Sequence, residues 1–104
     1  MKNEKTELFM GRLGKNPQLK YTQTQKPVCH FSVAVNKDDE ERPTWHKVVV
    51  WGKQAELASQ YLKKGCEVLV RGRKELKSFK TKEGLMKSYE EVNAGLVGFT
   101  FNQK

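Results

Sequence analysis

The stretch Thr44-Trp-His-Lys-Val-Val-Val-Trp-Gly52 decides the fold. Its β-branched and aromatic residues lie between Pro43 and Gly52, and this composition predicts a β-strand. Side chains alternate between the two sides of a strand, so one side carries Trp45, Lys47, Val49 and Trp51, and the other carries Thr44, His46, Val48 and Val50. The first side is an aromatic and cationic row, whereas the second suits a core.

The row of Trp45, Lys47 and Trp51 has two interpretations. Two indoles flanking an ammonium form a platform for stacked bases, with a cation for the intervening phosphate, and this favours single-stranded nucleic acid as the ligand. Alternatively, both tryptophans belong to a core or an interface and Lys47 extends past them to water.

Composition bounds the partners of the chain. Its 104 residues predict a single domain, 1–104. The chain has 20 Lys and Arg against 12 Asp and Glu, a net charge of +8, which favours a polyanion: nucleic acid first, an anionic membrane surface second. No apolar run approaches the ~20 residues of a membrane span, and 1–6 lacks a signal-peptide core, so we expect a cytoplasmic protein.

Five strands and one helix are predicted in order along the chain. The strands are Thr6–Leu13, Val28–Asn36, Thr44–Gly52, Cys66–Phe79 and Lys87–Phe101, with extended residues at Lys20–Thr22, a helix at Lys53–Lys64 and flexible ends at 1–4 and 102–104. This pattern is all-β, with the helix between the third and fourth strands. It predicts an OB-fold, a five-stranded Greek-key barrel.

A second cationic row is expected on the fourth strand. Alternation places Cys66, Val68 and Val70 inward, and it places Leu69, Arg71, Arg73, Glu75, Lys77 and Phe79 on the other side. Residues 71–87 contain seven Lys or Arg and two Glu, so the basic excess is concentrated on this predicted hairpin.

No catalytic or metal-binding constellation is predicted, and no cofactor. The four acids Asp38–Glu41 are interpreted as a solvated loop rather than a metal site. Cys29 and Cys66 are widely separated and are interpreted as small apolar residues without a redox role. His30 lies on the opposite side of its strand from Cys29, so one metal could hardly take both. The chain is therefore not expected to be an enzyme.

The residues resemble the bacterial and mitochondrial single-stranded DNA-binding proteins of the SSB family. The matching blocks are Gly11–Thr22, Phe31–Asn36, Trp45–Lys53, Ala55–Ala58, Tyr61–Gly65, Val68–Gly72 and Glu91–Val92. They cover nearly the whole chain in order, and this makes the match far more specific than one short motif.

The resemblance implies an OB-fold that binds single-stranded DNA with little sequence preference, usually as a tetramer. Trp45, Trp51 and Phe79 match aromatic positions that stack bases, and Lys47 and Lys77 match basic groove positions. The expected DNA-contacting set also includes Arg12, Lys20, Tyr21, Arg71 and Arg73. His46 matches a histidine directed inward to the subunit interface, and we expect Leu69, outward beside Arg71, to contribute to the same association.

The chain departs from the family pattern at several positions. The loop before the central strand has acids where many members carry an aromatic residue, and Glu75 replaces a basic residue. A common aromatic position is Ser88, with Tyr89 beside it, and neither receives a role. The sequence stops at Lys104 without an acidic tail, so tail-mediated recruitment of replication proteins is doubtful. A dimeric primosomal protein of the PriB type, or an OB module that binds RNA or protein, stays open as an alternative.

Overall fold

Six strands and one helix form the described part of the chain. The computed structural model describes residues 6–36 and 41–99. Its elements are β1 (Thr6–Leu13), β2 (Gln18–Tyr21), β3 (Pro27–Val35), β4 (Thr44–Trp51), α1 (Lys53–Tyr61), β5 (Glu67–Lys80) and β6 (Met86–Phe99). The predicted flexible ends, and Asp38, Asp39 and Glu40 of the acidic loop, lie outside the described residues.

The strands form one sheet that closes into a barrel. Their order is β1-β5-β6-β4-β3-β2, and an additional pairing of β1 with β3 closes the sheet. The pairing of β4 with β6 is parallel, and the other pairings are antiparallel. With its helix between β4 and β5, this all-β architecture is the predicted OB-fold.

The closed ring contains the five predicted strands β1, β5, β6, β4 and β3, but the sheet has one strand more than predicted, so the helix follows the fourth strand of the chain rather than the third. The additional strand is β2, in the region that the sequence pattern marked only as extended. Its four residues pair with the start of β3, from Gln18 with His30 to Tyr21 with Pro27. A strand this short carries too little alternation to be recognised without its partner.

The core fills the barrel between the sheet and α1. Its buried residues come from every element except β2: Leu13, Cys29, Phe31, Val33, Val48, Val50, Ala55, Ala58, Leu62, Val68, Val70, Val92, Ala94 and Val97. Valine predominates because β-branched side chains suit the curved inner side of a small barrel. Burial raises the pKa of the Cys29 thiol to about 11, so this cysteine remains protonated at neutral pH.

Helix α1 ends at Tyr61, not at Lys64 as predicted. Leu62 is already extended and is buried in the core. The next residues bond to other elements: the Lys64 N–H donates to Asn16 Oδ1 at 2.8 Å, and the Gly65 N–H donates to the Leu13 carbonyl at 2.8 Å. The sequence predicts that Lys63 and Lys64 form the last turn of the helix. Instead they follow the helix, because these tertiary partners replace the helical ones.

The side chain of Gln54 attaches α1 to β6. Its Nε2 donates to the Gly95 carbonyl at 2.9 Å, and its Oε1 accepts from the Val97 N–H at 3.0 Å. These bonds lie beside the register shift between β5 and β6 at Arg71 and Gly72. The side-chain amide therefore supplies backbone partners where the ladder is irregular.

Strands β5 and β6 form a long hairpin. Its turn closes where the sequence predicts a connection, with the Thr81 N–H donating to the Leu85 carbonyl at 2.8 Å. The far half of the hairpin, from Leu76 to Met86, is almost entirely exposed. Within the described residues, no helix is long and apolar enough to cross a membrane.

Candidate nucleic-acid interface

The outward side of β4 carries two exposed indoles and an ammonium. Trp45 is 56% exposed, Trp51 is 46% exposed, and Lys47 is exposed between them. Val48 and Val50, which flank Val49 on the strand, are buried in the barrel. The predicted alternation therefore holds for the aromatic and cationic side chains, and neither tryptophan belongs to the core of this chain.

The indole of Trp45 lies against the backbone of Gly14. A Cβ built on Gly14 would lie 2.5 Å from both Cζ3 and Cη2 of the Trp45 ring. Real Cβ atoms do not approach another carbon so closely, so the ring keeps this position only because residue 14 lacks a side chain. The loop after β1 thus supports one end of the aromatic row.

The row continues from β4 onto the hairpin through Tyr89. The ammonium nitrogen of Lys47 lies 4.6 Å from the centroid of the Tyr89 ring, in the range of a cation–π contact. The Tyr89 ring is 6.0 Å from that of Phe79, centroid to centroid, with a 57° angle between planes. A cavity of about 330 Å³ lies here, between β4 and the base of the hairpin, and Trp45 is among its lining residues.

Tyr89 is the residue of this row that the sequence reasoning missed. It pairs with Lys77 across the hairpin, so both side chains emerge on the same side of the sheet. Counting back from the predicted turn would have placed Tyr89 opposite Lys77. The family pattern instead directed attention to Ser88, which lies on the other side.

Lys77 has an acidic neighbour on its own strand. Its ammonium nitrogen lies 3.2 Å from Glu75 Oε1, and both side chains are partly exposed. An exposed pair of this kind contributes little to stability. A phosphate that binds Lys77 must compete with Glu75, which lowers the net gain from this cation.

Arg71 and Arg73 lie outward on β5, as predicted, and both are exposed. Arg73 pairs with Asn93 of β6 and Thr6 of β1. Arg71 pairs with Leu8 and Leu96, which are exposed apolar residues. Strand β6 separates both arginines from β4, so they extend the basic surface sideways from the aromatic row.

Lys20 and Arg12 lie at other edges of the outward surface. Lys20 pairs with Val28, and Val28 pairs with Trp51, so Lys20 is on the same side of the sheet as that indole. Arg12 pairs with Ala34, which also pairs with Trp45, and its Nη1 donates to the Gly65 carbonyl at 3.0 Å. Both cations therefore lie where a strand crossing the tryptophans could meet them.

Tyr21 is on the opposite side of β2 from Lys20. Its hydroxyl donates to Glu56 Oε2 of helix α1 at 3.1 Å, and this hydrogen bond is the main cause of the raised pKa of Tyr21. The structure therefore does not bring Tyr21 together with the tryptophan row. Its predicted contact with DNA stays a prediction.

A His–Glu pair lies over the middle of β4. His30 Nε2 of β3 lies 3.9 Å from Glu91 Oε2 of β6, and these two strands flank β4. His30 pairs with Val49, which is 4% exposed although it belongs to the outward row. The two polar side chains meeting above β4 account for this burial, which alternation alone does not predict.

The two residues expected at a subunit interface lie on different sides of the barrel wall. The ring of His46 is on the inward row and stacks on that of Phe9, with centroids 4.2 Å apart and a 17° angle between planes. Leu69 is outward and partly exposed, paired with Met10, which is 54% exposed. Leu69 thus belongs to an apolar outer surface, which we define by Leu8, Met10, Leu69 and Leu96.

Metal-ligating side chains do not converge in the part of the chain that the structure describes. Residues 6–36 and 41–99 contain no group of three or more His, Cys, Asp or Glu able to hold a metal ion. The acidic loop, interpreted from the sequence as solvated rather than metal-binding, falls largely outside this range.

An OB barrel with an aromatic and basic row across one side defines a class of nucleic-acid-binding proteins. The chain belongs to the single-strand binding protein family, whose model matches residues 4–100. The resemblance read from the sequence is thereby confirmed.

Curated relatives support the same assignment. The chain is 35% identical to the single-stranded DNA-binding protein of Neisseria meningitidis serogroup A over 94 residues, 84% of this chain and 54% of the relative. It is 38% identical to single-stranded DNA-binding protein 1 of Chlorobaculum tepidum over 69% of the chain and 49% of the relative. It is 37% identical to single-stranded DNA-binding protein 2 of Clostridium acetobutylicum over 88% of the chain and 73% of the relative. The chain thus spans about half the length of the first two relatives.

Proposed function

We propose that the chain binds single-stranded DNA with little sequence preference, stacking bases on Trp45 and Trp51 and neutralising phosphates with Lys47 and Lys77. The observation that carries this proposal is the pair of exposed indoles on β4 with a cation between them. Indoles this exposed are unfavourable in water but suit the flat faces of unpaired bases. In duplex DNA those faces are already stacked on neighbouring bases, so they are not accessible to the two indoles.

The hairpin extends the proposed binding surface. Tyr89 and Phe79 continue the aromatic row, and Lys77 lies beside Tyr89. Family membership supports the same proposal, since relatives carry the name single-stranded DNA-binding protein. We further propose that the chain acts without catalysis in the bacterial cytoplasm, protecting DNA exposed during replication, recombination or repair.

Tryptophan fluorescence titrated with oligo(dT) tests this function. The chain has two tryptophans, and both lie in the proposed groove, so stacking is expected to quench most of the emission. A duplex of equal length is the control and should quench weakly. Equal quenching by duplex, or none by oligo(dT), would contradict the proposal, and tighter binding of oligo(rU) would indicate an RNA-binding module.

The salt dependence of binding is expected to show that Lys77 neutralises a phosphate. Each phosphate neutralised on a single strand contributes about 0.7 to the slope of log K against log salt concentration. Because the Lys77 ammonium is already paired with the Glu75 carboxylate, the Lys77→Ala variant should flatten the slope by about 0.7 or less. Lys80→Ala is the matched control, since it removes the same charge from the other side of β5. Equal slopes for wild type and Lys77→Ala would remove Lys77 from the DNA path.

We also propose that the chain assembles as a homotetramer, with a dimer as the alternative. The apolar outer surface supports association, because Leu8, Met10 and Leu96 are 64%, 54% and 41% exposed on β1 and β6, the two strands that flank β5. Apolar residues grouped in this way typically mark an interface.

Light scattering at low micromolar concentration measures the assembly. A tetramer has four times the 12.0 kDa mass of the chain. A dimer would favour the primosomal type of OB protein. A monomer that still binds oligo(dT) tightly would refute the assembly proposal.

A further inference from the structure

The groove between the two tryptophans has an acidic group in its floor. Glu91 is 7% exposed and is the buried charged residue of the described chain, residues 6–36 and 41–99. It lies on the outward, predominantly basic side of the sheet, opposite a second acid, Glu75 of β5. Its carboxylate would repel a phosphate at this position, so it has no place in backbone binding.

A cavity opens beside this carboxylate. It measures about 220 Å³, and its lining includes Gln18, His30, Ser32, Lys47 and Glu91. In the register of β3 with β4, Trp51 pairs with Val28 and Trp45 pairs with Ala34, whereas His30 and Ser32 come between these pairs. The cavity therefore lies along the row between the two indoles, where a base that follows a stacked neighbour would pass.

The polar groups of the cavity include both an acceptor and donors. The Glu91 carboxylate accepts hydrogen bonds, and its contact with His30 is 3.9 Å, longer than a hydrogen bond, so that contact does not use this capacity. The Lys47 ammonium and the Ser32 hydroxyl can donate to a ring nitrogen or carbonyl. A ligand that suits them presents an amino group beside an acceptor.

Among pyrimidines, only cytosine has this arrangement on its pairing edge. Its N4 amino group donates while N3 and O2 accept. Thymine and uracil carry the O4 acceptor in place of the amino group. Their O4 would face the Glu91 carboxylate, and two acceptors cannot form a hydrogen bond with each other. Carboxylate side chains that read bases accept from the cytosine N4 in the same way.

We propose that Glu91, with His30, Ser32 and Lys47, forms a base-reading subsite that favours cytosine over thymine and uracil. The inference rests on the proposed function, since it requires single-stranded DNA in this groove. It adds a base preference at one position to binding that is otherwise indifferent to sequence. Stacking on the tryptophans accepts any base, whereas the cavity distinguishes their edges.

A comparison of the affinities for oligo(dC) and oligo(dU) tests recognition of the pairing edge of the base. Both are pyrimidines without the thymine methyl group, and a homopolymer presents the same base to the cavity in every register. We expect wild type to bind oligo(dC) about three- to tenfold more tightly than oligo(dU), a lower value than a fully bidentate contact would produce. Because the two polymers differ in their own stacking, the change of this ratio between variants is the decisive quantity.

Glu91→Gln is expected to move the ratio close to 1, since an amide can both donate to O4 and accept from N4. Glu90→Gln is the matched control. It removes the same charge from the neighbouring residue, whose side chain is 64% exposed, lies near Lys74 and does not line the cavity beside Glu91. It should leave the ratio as in wild type.

A second probe needs no variant and is therefore independent of folding. An oligomer of 2-pyrimidinone deoxynucleosides carries hydrogen where cytosine has its amino group, so it is expected to bind wild type as weakly as oligo(dU) or more weakly. Binding as tight as that of oligo(dC) would overturn the proposal. A ratio that Glu91→Gln leaves unchanged in a folded protein would also overturn it. Both results leave the proposed function intact, whereas failure of every oligomer to bind would refute that function itself.

Discussion

Replacing Trp51 by alanine is expected to weaken binding of oligo(dT) by about one to two decades while the protein stays folded. A base stacked on an aromatic side chain contributes roughly 1 to 3 kcal/mol, and the variant loses that contact. Folding should persist because Trp51 is 46% exposed at the end of β4, outside the cluster of buried residues. Fluorescence anisotropy of a labelled oligomer is the appropriate measurement, since the variant retains only one tryptophan.

Two further variants separate stacking from general effects. Trp51→Phe keeps an aromatic face, so it should recover much of the lost affinity. Tyr61→Ala removes an aromatic residue that is 44% exposed on α1, where it stacks on Phe99 instead of joining the β4 row. Its affinity for oligo(dT) should stay near that of wild type. If circular dichroism finds Trp51→Ala unfolded, Trp51 has a structural role, and if affinity is unchanged, Trp51 does not contact DNA.

The Gly11→Ala substitution is expected to lower the free energy of unfolding by roughly 3 kcal/mol. A Cβ built on Gly11 would lie 2.2 Å from the Ala34 carbonyl oxygen. This contact is where β1 crosses β3 and closes the barrel, with Arg12 paired to Ala34 and Leu13 to Val33. The clash involves backbone, so it cannot be relieved by turning a side chain.

Urea denaturation at fixed protein concentration measures this effect, because association also contributes to stability. Gly95→Ala provides the matched control on β6. A Cβ there meets no heavy atom within 4 Å, and the residue does not have a positive φ. Its stability should differ from wild type by less than about 1 kcal/mol. Equal stability of the Gly11 and Gly95 variants would mean that β1 and β3 separate readily.

The sequence alone determined the features that depend on short-range patterns. Alternation along 44–52 placed Trp45, Lys47 and Trp51 outward and Val48 and Val50 inward, because strand geometry depends only on neighbouring residues. The same rule located the buried row of β3 and the cationic row of β5. Helix α1 begins at Lys53 as predicted, and turn residues placed the connection between β5 and β6. The order of these elements was enough to predict the OB-fold.

The tertiary structure decided everything that depends on which elements meet. Helix α1 ends early because Asn16 and Leu13, distant in the chain, bond to the residues after it. Tyr21 turns toward α1 because Glu56 accepts a hydrogen bond from its hydroxyl. Glu56 is distant in the chain, so the residues around Tyr21 do not predict this contact.

The candidate site divides in the same way. The sequence placed the tryptophans, but only the pairing of β4 with β6 brings Tyr89 under Lys47 and lets His30 of β3 meet Glu91 of β6 above β4. A strand's own sequence determines which of its side chains share a side. The partners that those side chains find across the sheet depend on register and strand order, which long-range packing sets.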